Sequence, residues 1–200
     1  MSNEDKAMNK VKISLIAISF LLFAGFYGKA VPQAGSNSDK PVFEDKETLL
    51  RPQGYREWIF VGSSLGLSYA QNPAARAGGA QLYHNTYINP SAYHEFVKTG
   101  KFPDGTTMVL ELLTQEQKQE PGLQGSYEKE LVGIEASVKD STRFKEQWAY
   151  FNFIGPDRQA LAKAKAFAKE ACWSCHDVNA QTDHVFTQFY PVLREFAPKK

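Results

Sequence analysis

Phe102-Pro103-Asp104-Gly105, followed by Thr106-Thr107-Met108-Val109-Leu110-Glu111-Leu112-Leu113, is the stretch on which the fold turns. Pro, Asp and Gly in succession are turn chemistry. The run after them is apolar and β-branched, so Thr106–Leu113 reads as a strand, with Met108, Leu110 and Leu112 on one face. Upstream, Gly100 ends a short helix that Ser91 can cap and that runs through Tyr93, Phe96 and Val97. Before it, Gln81 to Ile88 reads as a second strand, closed by Asn89-Pro90. Residues 71–79 read as a loop, and Tyr55 to Val61 as a first strand behind the turn Arg51-Pro52-Gln53-Gly54. Downstream, Tyr127 to Val138 and Gln147 to Ile154 supply two more strands. Gly155-Pro156-Asp157 breaks the pattern, and residues 158–171 and 182–196 read as helices. About five strands, one inserted helix and a helical C-terminus predict an α+β fold on a mostly antiparallel sheet.

The chain has 200 residues, 42% of them apolar and 22% charged, which fits one globular domain with a short appendage. Residues 1–30 carry Lys6, Lys10, Lys12 and Lys29 against Glu4 and Asp5, or +2. The other 170 carry 19 positive and 20 negative charges, or −1. That balance argues against nucleic acid, whose backbone is bound by clustered Lys and Arg. Residues 13–28, ISLIAISFLLFAGFYG, hold no charge and follow Lys10 and Lys12. They read as a secretory signal or as a retained single-helix membrane anchor, and in both cases the rest is exported, to the periplasm or its equivalent. The division that follows is a signal or anchor over 1–30, a polar linker over 31–47 and a domain over 48–200.

Both cysteines of the chain lie in Cys172-Trp173-Ser174-Cys175-His176. C-x-x-C-H is the attachment pattern for a c-type haem. Two thiols one helical turn apart can add to the two vinyl groups of one porphyrin edge, and the next histidine then reaches the iron. One motif predicts one covalently bound haem c on Cys172 and Cys175, with His176 as proximal ligand and its second ring nitrogen donating to a carbonyl or carboxylate. Three other readings compete. A thioredoxin-like dithiol would open a helix just after a strand, whereas here the motif is expected to follow a helix. A zinc site would have to recruit His84, His94 or His184. A plain disulfide would leave His176 idle.

Several stretches resemble the cytochrome P-460 family. They are Tyr55-Arg56-Glu57-Trp58, Tyr87-Ile88-Asn89-Pro90, Thr99 to Thr106, Gly133 to Ser141, and a tail from Cys172 through Asn179-Ala180-Gln181-Thr182-Asp183 to Val185–Arg194. The likeness spans roughly residues 50–195 and implies a five-coordinate haem iron with an open distal face, commonly in a homodimer. One branch of the family carries a lysine cross-linked to the porphyrin and oxidises hydroxylamine. The cytochrome c′-beta branch lacks the link and binds diatomic gases such as nitric oxide in an apolar distal pocket. Leu110 stands at the position matching that lysine, so the resemblance places this chain in the second branch.

A gas binder is therefore the first expectation. A hydroxylamine-oxidising or peroxide-using enzyme is the second, and a His/Met electron carrier the third. Met108, two residues from Leu110 on the same strand face, is a candidate thioether ligand for the carrier, against an ordinary core role. Tyr83 and His84 are distal candidates. Phe167, Phe186 and Tyr190 are expected to pack on the haem, and His184 to sit on a helix face. Lys163, Lys165 and Lys169 read as a solvated helix face that could also dock a redox partner. The export reading predicts that a reporter fused to Lys200 is active outside the cytoplasm; activity on the cytoplasmic side contradicts it.

Overall fold

The turn at 103–105 forms as its residues dictate. Gly105 takes φ 87°, and Thr106 bonds back to the Pro103 carbonyl through both its amide (3.1 Å) and its hydroxyl (2.6 Å). The computed structural model describes residues 39–67 and 81–199; the segment 13–28 and the loop 71–79 lie outside them. Seven strands are described, β1 (Thr48–Leu50), β2 (Ile59–Leu65), β3 (Leu82–Ile88), β4 (Thr107–Glu120), β5 (Leu123–Lys139), β6 (Trp148–Asn152) and β7 (Lys163–Lys165). Strands β2 to β6 form one antiparallel sheet in sequence order, while β1 and β7 pair as a separate ribbon. Helix α1 (Pro90–Thr99) is inserted between β3 and β4; α2 (Trp173–Asn179) and α3 (Pro191–Arg194) are short and C-terminal. The α+β, mostly antiparallel architecture is that expected from the sequence.

Both faces of the sheet are covered. On one, Val109, Ile134, Ala136, Val138 and Phe151 meet Leu49 of β1 and Ala164 of β7. On the other, Met108, Ile88, Val61, Trp148 and Tyr150 meet Ala92 and Phe96 of α1 and the C-terminal residues Val185 and Leu193. Registration across the centre sets Leu110 opposite Thr86 on β3 and Glu135 on β5. Glu111, one residue on, faces the first core, is 3% exposed, and accepts from Tyr55 Oη (2.6 Å) and Arg56 Nε (2.8 Å). Burial and that bond to Glu111 push the Tyr55 phenol far up.

Several expectations are corrected. Tyr55–Glu57 is a 3-10 turn behind Gly54 (φ 65°), and the strand begins only at Ile59. In a strand the adjacent Tyr55 and Arg56 would point to opposite faces; the turn lets both reach one carboxylate. Asn89, not Ser91, is the N-cap residue of α1, with Pro90 in its first turn. The Asn89 side chain instead bonds Gly105 O and the Thr107 amide, tying the helix start to the 103–105 turn. The stretch 158–171 is no helix. Its Ala and Lys residues favour one by only tenths of a kcal/mol each, and the buried contact of Ala164 opposite Leu49 in β1–β7, an unforeseen strand pair, prevails. Residues 182–196 are broken by a turn at 182–185, and the Pro191 ring confines Tyr190 to an extended conformation (φ −109°, ψ 97°). The end of the expected linker also joins the domain, because Phe43 packs on Phe144 and Phe151 and Asp39 accepts from the Ser91 amide.

Gly133 faces Leu112 beside a bulge, and a Cβ there would fall 2.6 Å from Leu112 Cδ1 and 2.9 Å from its Cβ. The strand must then shift. Gly133→Val is expected to destabilise the protein by about 1–3 kcal/mol, read as a lower urea midpoint with an unchanged slope.

Candidate haem site

Cys172 caps α2 without a side-chain hydrogen bond, and the amides of Cys175 and His176 both bond to its carbonyl at 3.2 Å. This first turn brings residues 172, 175 and 176 to one side of the helix. Both thiols are free and half-buried. Burial pushes the Cys172 thiol up, with the charge of Glu135 and the neighbouring Cys175 adding to it. The motif follows the turn after β7 and opens a helix, which corrects the expectation of a preceding helix; the argument from helix order against a dithiol pair therefore falls.

His176 is held on three sides. Its ring lies 4.4 Å from the Tyr150 ring and 4.6 Å from the Phe186 ring, and Nδ1 is 2.7 Å from the His184 carbonyl oxygen. That carbonyl can only accept, so Nδ1 carries the proton and Nε2 presents the lone pair. Burial lowers the His176 pKa against the opposing pull of this bond, favouring the neutral imidazole that binds metals.

The face of β4 carrying Leu110 is the face on which the C-terminal segment packs. Leu110 is half-buried, flanked by Thr86 and Glu135. Burial raises the pKa of the Glu135 carboxyl. Tyr190 packs on the Val61–Leu193 side, its phenol pushed up by burial. Met108 is 5% exposed, in the core with Ile88, Phe96 and Phe102. His84 shares the Leu110 face by alternation, with its pKa lowered by burial, while Tyr83 points to the other face.

Phe167 runs beside β6, its amide bonded to Tyr150 O. Two expected roles change. His184 lies in a turn rather than on a helix face, its ring 4.9 Å from Trp173 and its carbonyl on His176. The three lysines form no helix face, since Lys163 pairs with Glu44 at 2.7 Å and Lys169 sits over Trp173 at 4.3 Å. Glu135, Tyr150 and the His184 carbonyl escaped the sequence reading. The alternation Gly133, Glu135, Ser137 against Ile134, Ala136, Val138 reads as a solvent face, and nothing local says that this face is covered.

Residues 52–187 match the family model for Cytochrome P460. The chain belongs to the cytochrome P460 family. No curated protein matches it. As a member it is a haem cytochrome, and its residues fit that group. Free thiols at 172 and 175 and a neutral histidine with its lone pair on Nε2 lie in one helical turn.

The half-buried Glu135 carboxyl of this cytochrome generates a pH-dependence. Below the ordinary glutamate pKa, Glu135 is protonated whether the chain is folded or not. As pH rises past that value the unfolded chain releases the proton while the folded one retains it, so stability falls across the window up to the raised folded pKa. Glu135→Gln should remove this fall: equal to wild type in urea denaturation near pH 4, and more stable at pH 7.

Proposed function

We propose that this protein is an exported mono-haem c-type cytochrome that binds nitric oxide or another small ligand at an open distal haem face. In this reading Cys172 and Cys175 hold the porphyrin by thioethers and His176 ligates the iron through Nε2. The haem supplies a metal centre for ligand binding and one-electron chemistry. The protein supplies orientation. Tyr150 and Phe186 clamp the imidazole, and the His184 carbonyl holds the Nδ1 proton. The observation that carries the proposal is Leu110, an apolar side chain without an amine on the site face of β4, at the position the resemblance assigns to a cross-linking lysine. Leucine cannot form that link, and it offers an incoming ligand no hydrogen bond.

One observation favours the second reading, oxidation of hydroxylamine or a related nitrogen compound. Oxidising an N–H bond releases protons, and Glu135 places a carboxyl with a raised pKa next to Leu110 in register, so the face is not wholly apolar. Such a group is suited to accept a proton released beside it. The carrier reading is disfavoured by Met108, which is packed in the core between α1 and the sheet.

Mass spectrometry of the exported protein should give the polypeptide plus one haem that acid-acetone does not extract. Haem-free protein with a Cys172–Cys175 disulfide contradicts the proposal. The reduced spectrum should be that of an ordinary c-type haem, without a red-shifted band, and nitric oxide should bind more readily than hydroxylamine turns over. If turnover is observed, Glu135→Gln should lower it by about a hundredfold or more and leave nitric oxide binding in place.

A further inference from the structure

Thr182-Asp183-His184-Val185 is a two-residue turn closed by Val185 N to Thr182 O (2.8 Å) and Thr182 N to Val185 O (3.3 Å). Asp183 and His184 both have positive φ, 45° and 60°. Two successive positive φ values belong to a type I′ turn, which favours Asn and Gly. Asp tolerates that region better than most residues, while two successive non-glycine residues in it store strain that the surroundings must hold. The turn yields one contact with the site, the His184 carbonyl on His176 Nδ1 at 2.7 Å.

The holding groups are on the sheet. The Asp183 carboxylate takes Lys139 Nζ on Oδ2 at 2.7 Å and Trp148 Nε1 on Oδ1 at 3.2 Å. Lys139 and Trp148 are directly opposite one another at the ends of β5 and β6. Lys139 also donates to Phe102 O at 2.9 Å, which fixes its ammonium where Asp183 arrives. The ion pair is largely shielded, with side chains 14% and 28% exposed. The strained turn is thus gripped from two neighbouring strands by one carboxylate, and its product is aimed at the imidazole.

We propose that Asp183 is a positioning residue for the iron ligand: gripped by Lys139 and Trp148, it keeps the 182–185 turn closed so that the His184 carbonyl stays on Nδ1 of His176. The inference rests on the reading of His176 as proximal ligand. A carbonyl held on Nδ1–H fixes the tautomer and makes Nε2 a stronger donor. A stronger donor stabilises ferric over ferrous iron and stiffens the iron–histidine bond. Loosening the turn therefore weakens that bond and raises the reduction potential, without touching any atom of the imidazole.

The test uses the haem-loaded full chain and three readouts: the iron–histidine stretching band of the ferrous protein by resonance Raman, the reduction potential, and the urea midpoint. Asp183→Ala is expected to move the band to lower frequency and raise the potential. Lys139→Met should do the same to a smaller extent. Asp183→Asn, which tolerates positive φ and still accepts from Trp148, should fall between wild type and Asp183→Ala. A lowered urea midpoint with band and potential unchanged makes Asp183 a mere tie between the C-terminal segment and the sheet, and overturns the inference. If Asp183→Ala does not fold, Lys139→Met and Asp183→Asn decide on the same terms. A five-coordinate ferrous wild-type protein without an iron–histidine band overturns the ligand reading and the inference with it; where the iron is six-coordinate, the reduction potential decides. A band that is present but insensitive to all three variants overturns the inference alone.

Discussion

Strand β4 is the central strand of five, bonded along both edges and covered on both faces, and the rest of the molecule takes its bearings from it. Its odd positions feed one core and its even positions the second core and the site beside it, so a slip of one residue would exchange Leu110 with Glu111. The Glu111 network blocks that slip. Tyr55 and Arg56 bond the carboxylate on the far face, and moving it away from them would leave a buried charge without partners, at a cost of about 3–5 kcal/mol. A structural carboxylate on one side of the sheet thereby fixes which residues the other side presents. Leu110 between Thr86 and Glu135 is a consequence of register and not of local preference.

Elements whose pattern is set by local chemistry were legible in the sequence. Strands β3, β5 and β6 and helix α1 fall near their expected positions, because period two, Gly100 at the helix end and the 103–105 turn all act within a few residues. The C-terminal third was not legible as structure, although its motif was. An Ala- and Lys-rich stretch reads as helix until Leu49, over a hundred residues earlier, is known to lie beside Ala164. The breaker in 182–196 was visible as Pro191. The turn at Asp183 and His184 had no glycine to announce it.

The site divides along the same line. Cys172, Cys175 and His176 form a pattern whose chemistry needs only the spacing, and the spacing is in the sequence. Glu135, Lys139, Trp148 and Asp183 acquire their meaning from what covers them. Glu135 sits at a polar position of an alternating strand and would be a solvent carboxylate if the C-terminal segment did not lie over that face. Desolvation, not any neighbour in the chain, raises its pKa.

Why the C-terminal segment is irregular follows from the tasks it combines. A continuous helix over 182–196 would satisfy its own backbone and keep the His184 carbonyl for an amide four residues on. Broken at 182–185, the chain releases that carbonyl to His176, places Phe186 on the imidazole, and seals Asp183 against β5 and β6. Beyond the break, Phe189 to Pro191 approach β2 so closely that a Cβ on Gly62 would meet Pro191 Cδ at 3.3 Å and the Phe189 carbonyl at 3.4 Å. A helix carries its side chains outward, and between packed helices they hold the axes about 8–10 Å apart. An irregular strap over a glycine can lay its backbone directly on the sheet. The strain at Asp183 and His184 is tolerated because ion pair, indole, imidazole and strap constrain the same few residues from different directions, which is the condition under which strained backbone persists.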